Sequence, residues 1–319
     1  MSGGARAGAA VKADAYGTGS AQTVRALSAA GCRDFFIAHF GEYPAIAGLV
    51  DPAHISVLHG PLTPQDAAYA SATGLRPTIN SVRQAHLWHE AGGGPCDVMI
   101  DTGMNRLGVA MGDIADPAIQ SLNVSVLMSH LACADEDVPF NAMQRRRWEE
   151  ARTMLAHREA SLANSAGIAL GAAFHGDLTR PGIALYGGIQ RDAFNGVIAQ
   201  VVQPMAAILQ VRHIAAGDSV GYNATYVATR PMRIGTLAIG YADGYLRCWS
   251  GKGAFDADGL HLPVLGRVSM DMTAIDLTDA PGIAEGDWVR AAYSLPDAAA
   301  VCGLSQYELL TVLGRRFTR

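Results

Sequence analysis

The chain has 319 residues, enough for one large α/β core and a second unit beside it. Half of the residues are hydrophobic, 17% are charged and the net charge is −5, a balance that argues against a nucleic-acid or anionic-membrane partner. No apolar stretch approaches the roughly 20 residues of a membrane span, and the start, "MSGGARAGAAVKADAYG", lacks the apolar core of a signal peptide. The five cysteines are scattered, with no CxxC pair, and read as reduced thiols of a cytoplasmic protein, not as a disulfide frame or zinc site.

From residue 9 to about 187, short apolar runs alternate with amphipathic stretches: "AAVKA", "DFFIAH", "ISVLHG", "RPTIN", "DVMID", "SVLMSH", "ASLAN" and "GIALYG". Helical spacing is read at 20–30, 64–73, 81–91 and most clearly at 140–158, where "FNAMQRRRWEEARTMLAHRE" is apolar every three or four residues. Eight strands, mostly with helices between them, predict an α/β fold: a (β/α)8 TIM-type barrel over residues 1–195. The pattern then changes to β-rich runs such as "MRIGTLAIGYADGY" and "LPVLGRVSMDMTAIDL", predicting a mostly β C-terminal domain over 196–319. One amphipathic stretch, "DAAAVCGLSQYELLTVLGRRF", closes the chain.

Chemistry on such a barrel collects at the C-terminal ends of its strands. Lys12 ends the first strand, Asp101 ends the fifth and leads to Arg106, His130 ends the sixth, and Asn164 and Ser165 end the seventh. Arg180 precedes the expected eighth strand, with Gly182 and Ile183 just after it. Singly, each has a plain structural reading: a core histidine at His130, a helix cap at Asn164–Ser165, an Arg180–Asp177 surface pair. Jointly they share one rim. Ser165 with the N–H groups near Gly182 and Ile183 would cradle a phosphate, and a lysine across the rim would trap an aldehyde as a Schiff base. Pyridoxal phosphate satisfies both demands. His130 would pack on its ring. Arg180, which cannot give up its proton, would keep the pyridine nitrogen unprotonated and disfavour transamination.

Seven segments, "VKADAYG", "DTGMNRLG", "SHLACADE", "LANSAG", "RPGIALYGG", "RPMRIGTLAIGYADGY" and "GRVSMDM", closely resemble, in order, the motifs of the alanine racemase family. The resemblance implies a fold-type III enzyme with a pyridoxal-phosphate barrel, a β domain and a head-to-tail homodimer. It implies that Lys12 holds the cofactor and is the base on one face of the substrate, while Tyr241 completes the partner's site as the base on the other. Tyr16, Asn164, Ser165, Gly182 and Ile183 match the cofactor-phosphate region, Arg180 the pyridine-nitrogen partner and His130 the ring-packing residue. Arg106 would assist at the cofactor's phenolic oxygen and the substrate carboxylate, which the Met270 N–H would also bind. The implied reaction interconverts L- and D-alanine; a broad-specificity or serine racemase, or a truncated inactive homologue that still binds cofactor, are the alternatives.

The chain departs from the family pattern at three places. Met99 stands where some members carry a carbamylated lysine, so another group, such as a bound anion, would have to orient Arg106. A tyrosine expected near the cofactor phosphate in the last segment, "LGRRFTR", is replaced by Arg315 or Arg316. Only eleven residues precede Lys12, where a strand of the β domain and a helix are expected; a missing strand would leave a sheet edge unpaired, and a form extended upstream is expected to be more soluble and active. No metal site is predicted: His86 and His89 in "HLWHE" have i, i+3 spacing but no third ligand, and "GGGP" at 92–95 lacks a strand–helix context.

Overall fold

The protein is described by a computed structural model over residues 1–314, 316 and 317. Residues 1–185 and 189–198 form one compact unit; residues 186–188 and the described residues from 199 onward form another.

The first unit is a ring of short parallel strands. β1 consists of two runs, Arg6–Ala7 and Ala9–Ala10, and is followed by β2 (Phe35–Ile37), β3 (Ile55–Val57), β4 (Arg76–Ile79), β5 (Pro95–Asp101), β6 (Asn123–Met128), β7 (Glu159–Ser161) and β8 (Leu178–Thr179). The strands pair in sequence order. β8 pairs with Arg6–Ala7 of β1, and bonds from the Asp177 N–H to Ala160 O (2.8 Å) and from the Arg180 N–H to Ala163 O (2.9 Å) join β7 to β8 and close the ring. β2 and β3 are buried at every residue, as parallel strands covered on both faces require.

The eighth strand differs from its expected place. It is Leu178–Thr179, so Arg180 follows it instead of preceding it, and Ile183–Tyr186 forms a 3₁₀ turn. Pro181 has no N–H to give a ladder and Gly182 lacks a side chain to pack, so the apolar run cannot continue as a strand.

Helices α1 (Ser20–Ala29), α2 (Pro64–Thr73), α3 (Val82–Glu90), α4 (Pro117–Gln120), α5 (Pro139–Met154) and α6 (Ser165–Ile168) follow strands of this ring. α2 starts with a reciprocal capping box between Thr63 and Asp66 plus Pro64 in the first turn, and ends at Gly74 in the left-handed conformation. Between β2 and β3 two 3₁₀ turns, Phe40–Ala45 and Pro52–His54, replace a helix. The main core lies between helices and strands, where Ala67, Ala70, Trp88 and Leu155 meet Ile79, Val98, Ile100 and Leu127.

The second unit is a closed six-stranded barrel. Its strands are β9 (Met205–Ile214), β10 (Met232–Leu237), β11 (Ala254–Ala257), β12 (Leu260–Leu265), β13 (Thr273–Asp276) and β14 (Trp288–Ala291), paired in the order β9-β10-β13-β12-β11-β14 and back to β9. The unpaired sheet edge expected here is therefore not found among the described residues. The last amphipathic stretch breaks at Gly303, left-handed at φ 66°, into α7 (Leu295–Cys302) and α8 (Gln306–Thr311), the latter restarted by a Ser305–Glu308 capping box. The expectation of five thiols also fails: Cys248 and Cys302 form a disulfide, with Cα atoms 5.1 Å apart, while Cys32, Cys96 and Cys133 are free.

Candidate active site

Lys12 leaves β1 through an unusual turn. Ala13, Asp14, Ala15 and Tyr16 all have φ between 53° and 56°, four successive non-glycine residues in the left-handed region. Each such residue costs about 1–2 kcal/mol, so bonds from outside must hold the turn. The Glu42 carboxylate accepts the N–H of Ala13 and of Ala38, each at 2.7 Å, tying the turn to the end of β2. Asp14 accepts from the Ser20 N–H (2.8 Å) and hydroxyl (3.1 Å), anchoring the turn to α1.

This turn brings the Tyr16 ring, buried, across to the segment after β8. A Cβ added at Gly182 would lie 2.2 Å from the Tyr16 hydroxyl oxygen, so only glycine leaves the space open. The Ser165 hydroxyl accepts the Gly182 N–H (2.8 Å) and the Ala184 N–H (3.3 Å). Tyr16, Ser165 and Gly182 thus converge, with buried Ile183 next in the chain. Asn164 keeps its plain role as well: its side chain caps α6 by accepting the Gly167 N–H at 2.9 Å.

Arg180 is buried and not a surface partner of Asp177. Its guanidinium donates to the Ser161 hydroxyl and to Ser129 O, while Asp177 accepts the Ala160 N–H instead (2.9 Å). Burial lowers the Arg180 pKa to about 10, opposed by the charge of Asp97. His130 follows Ser129, and its loop is pinned by Gln144 of α5, which donates to His130 O (3.0 Å) and accepts the Ala132 N–H (2.9 Å). Burial, followed by the charges of Arg180, Arg106 and Lys12, pushes the His130 pKa down to about 3. Lys12 is shifted down too, first by burial and then by Arg106 and Arg180, against the pull of Glu42.

Arg106 sits on an exposed loop shaped by Asp101, whose carboxylate accepts the Gly103 and Asn105 N–H groups (2.8 and 3.1 Å). Met99 is buried in β5 and brings no charge toward it. Among the described residues, Lys12, Arg106 and Arg180 have no carboxylate within ion-pair distance. A rim with three such cations and a glycine-floored polar notch fits an occupant carrying a phosphate and a carboxylate. No group of acidic, histidine or cysteine side chains suited to a metal occurs among the described residues; His89 is engaged instead with Ala118 O at 2.8 Å.

Tyr241 and Met270 belong to the second unit, where they are joined by backbone bonds. The Tyr241 N–H donates to Ser269 O and the Ala242 N–H to Met270 O, each at 3.0 Å. Gly240 permits this approach, since a Cβ there would lie 2.4 Å from both carbonyl oxygens. The Arg247 guanidinium lies 5.3 Å from the centre of the Tyr241 ring. Arg316 pairs with Asp243 (2.8 Å) and Asp271 (2.7 Å), bracing the tyrosine turn and the "SMDM" loop together; Arg315 lies outside the described residues. Glu42, Gln144 and Arg247 were not singled out by sequence, and Arg316 was named there only as a residue near the expected tyrosine, without a role. Glu42, in the "FGEYP" loop, offers the one local signal, an acid among turn formers after a buried strand.

The family models described as alanine racemase, N-terminal domain, and alanine racemase, C-terminal domain, match residues 1–190 and 201–319. The chain belongs to the alanine racemase family. It is 41% identical to an alanine racemase of Acidiphilium cryptum over 97% of this chain and 90% of that one, and 42% identical to one of Rhizobium meliloti over 100% and 90%. Among solved structures, the alanine racemase of Bartonella henselae with covalently bound pyridoxal phosphate matches with a TM-score of 0.89 and 33% identity, covering 99% of this chain and 92% of that one. The family assignment agrees with the order of the seven motifs and with the two-unit fold.

Proposed function

We propose that the chain is a pyridoxal-phosphate-dependent racemase interconverting L- and D-alanine, acting as a cytoplasmic homodimer. The observation that carries the reading is the half-buried Lys12 under the charges of Arg106 and Arg180, followed in the chain by the turn that brings Tyr16 to the Ser165–Gly182 notch. No described helix is long and apolar enough to cross a membrane.

Tyr16, Ser165 and the N–H groups near Gly182 and Ile183 would hold the cofactor's phosphate, with Asn164 shaping the turn that presents Ser165. Lys12 would hold its carbonyl carbon, His130 would pack on its ring and Arg180 would face its pyridine nitrogen. When bound, pyridoxal phosphate withdraws electrons and acidifies the Cα–H of an attached amino acid. Lys12 Nζ takes or returns the proton at Cα on one face; burial and neighbouring cations favour the neutral amine that this needs. Tyr241 of the partner subunit, through its phenolic oxygen, does the same on the opposite face. Arg106 and the Met270 N–H bind the substrate carboxylate and fix the orientation of Cα.

The test is D-amino-acid formation from L-alanine and L-serine by the cofactor-loaded protein. Lys12→Ala is expected to lose the visible cofactor band and at least about 10³-fold in rate. A band that survives this substitution overturns the assignment of Lys12. Mixing unfolded-and-refolded Lys12→Ala and Tyr241→Phe chains is expected to restore activity through hybrid dimers, each with one intact site. No recovery would remove the shared-site reading. Faster turnover of serine than alanine would favour the alternative substrate.

A further inference from the structure

The segment "GYADGYLRCWSG" carries more than the tyrosine. Arg247–Trp249 forms a 3₁₀ turn whose three side chains go different ways. Arg247 lies over the Tyr241 ring. Trp249 is buried, stacked on Tyr245 at 5.4 Å and tilted against Tyr293 at 6.2 Å. Between them, half-buried Cys248 is bonded to Cys302, the last residue of α7.

The segment beyond Cys302 reaches the same turn. α8 begins at Gln306, and the chain after α8 lies on the tyrosine turn. A Cβ at Gly244 would be 2.6 Å from Val312 O, the Gly314 N–H donates to Asp243 O at 3.0 Å, and Arg316 grips Asp243 and Asp271. The C-terminal helices are therefore fixed to the tyrosine turn at two places: by the disulfide at one end and by the Val312–Arg316 contacts at the other.

We propose that Cys248 and Cys302 form an oxidisable pair whose disulfide holds Arg247 and the C-terminal helices against the Tyr241 turn, making racemisation respond to thiol redox state. The rate consequence rests on the role proposed for Tyr241; the pair itself does not. A low-molecular-weight disulfide such as oxidised glutathione is the oxidant. One cysteine thiolate attacks it and expels one glutathione thiolate, and the second cysteine thiolate then attacks the mixed disulfide and expels the other. Two protons and two electrons leave the cysteines, and one glutathione disulfide becomes two thiols. A disulfide in a compartment that keeps thiols reduced is commonly of this redox-sensing kind.

The test uses the full-length, cofactor-loaded protein equilibrated with oxidised or reduced glutathione. Titration in denaturant should find three thiols in the oxidised form and five in the reduced form, given five cysteines in the chain. Reduction should lower Tm by about 5–10 °C and slow racemisation by about tenfold, mainly in kcat. Cys302→Ser should give the slow rate in both buffers, four thiols in reduced glutathione, and in oxidised glutathione a Cys248 that is free or capped by glutathione but never part of an intramolecular disulfide. Five thiols after oxidation would overturn the pair, and a formed pair with an unchanged rate would overturn its control of Tyr241. Absence of racemisation in both buffers, with the thiol count and Tm shift intact, would sustain the pair and strike the proposed reaction instead.

Discussion

The two ends of the parallel barrel handle charge in opposite ways. At the ends of the strands, Lys12, Arg106, Arg180 and His130 are gathered with no ion-paired carboxylate among the described residues, and each titration that shifts there shifts toward the neutral form. At the beginnings of the strands, charges are matched. Arg6 of β1 bridges Asp34 and Glu159, at 3.2 and 2.5 Å. Arg76 of β4 lies 3.9 Å from Asp34 and 3.4 Å from buried Asp97 of β5, the latter an ion pair short of hydrogen-bond geometry. Asp97 also accepts from the Ser56 hydroxyl (2.5 Å) and the Val126 N–H (3.1 Å). Burial raises the Asp97 pKa, with Arg76 and then Ser56 pulling it back. One end spends stability to keep cations ready for an anionic ligand. The other satisfies its charges internally and supports the fold.

The largest expected effect comes from breaking the matched end. Asp97→Ala leaves Arg76 nearly buried with Asp34, 3.9 Å away, as its one ion-pair partner among the described residues, and should cost about 3–5 kcal/mol of stability. Where the variant is still folded, its cofactor band should persist and kcat should change little, since Asp97 acts on the rim only through its charge on Arg180. Loss of cofactor at unchanged Tm would contradict the division between the two ends. The open end is probed by Gly182→Ala. The backbone there tolerates alanine, but the new Cβ must displace the buried Tyr16 hydroxyl, so the ligand-free protein should lose about 1–3 kcal/mol of stability and pyridoxal phosphate should bind about 10- to 100-fold more weakly. Unaltered affinity would remove Tyr16 and Gly182 from the phosphate notch.

The open end of this contrast was largely legible in the chain, because the strands and the rim follow local patterns, whereas the matched end was not. The runs ending in Lys12, Asp101 and His130 are apolar and bounded by turn formers, so their strands and the rim follow directly. The eighth strand was misplaced because "GIALYG" is more apolar than the two-residue strand Leu178–Thr179, while Pro181 and Gly182 decide the matter. The left-handed turn after Lys12 has no local signal: "ADAY" contains no glycine, and Glu42, 29 residues from Ala13, helps hold it. The Cys248–Cys302 bond and the Arg316 clamp span 54 and 45 or more residues and arise from packing, which no spacing rule reveals. Asp97 reads as one residue of an apolar strand, and its partners come from three other strands.

The smallest of these effects is also the most specific to the open end. His130 in the folded protein titrates near 3, against 6.5 for a free histidine. Between those values the unfolded chain binds a proton that the folded protein refuses, so stability falls as pH falls; above 6.5 both forms are neutral and the contribution is fully present. Taking the ligand-free protein from pH 7 to 5.5 should therefore cost about 1 kcal/mol through this residue. His130→Phe should flatten the acid side of the stability curve by that amount, measured as the difference between variant and parent so that other titrating groups cancel. An unchanged slope would mean that His130 takes up a proton freely despite its burial and the nearby cations. The rim would then be less hostile to positive charge than its geometry requires, and the contrast with the matched end would lose its basis.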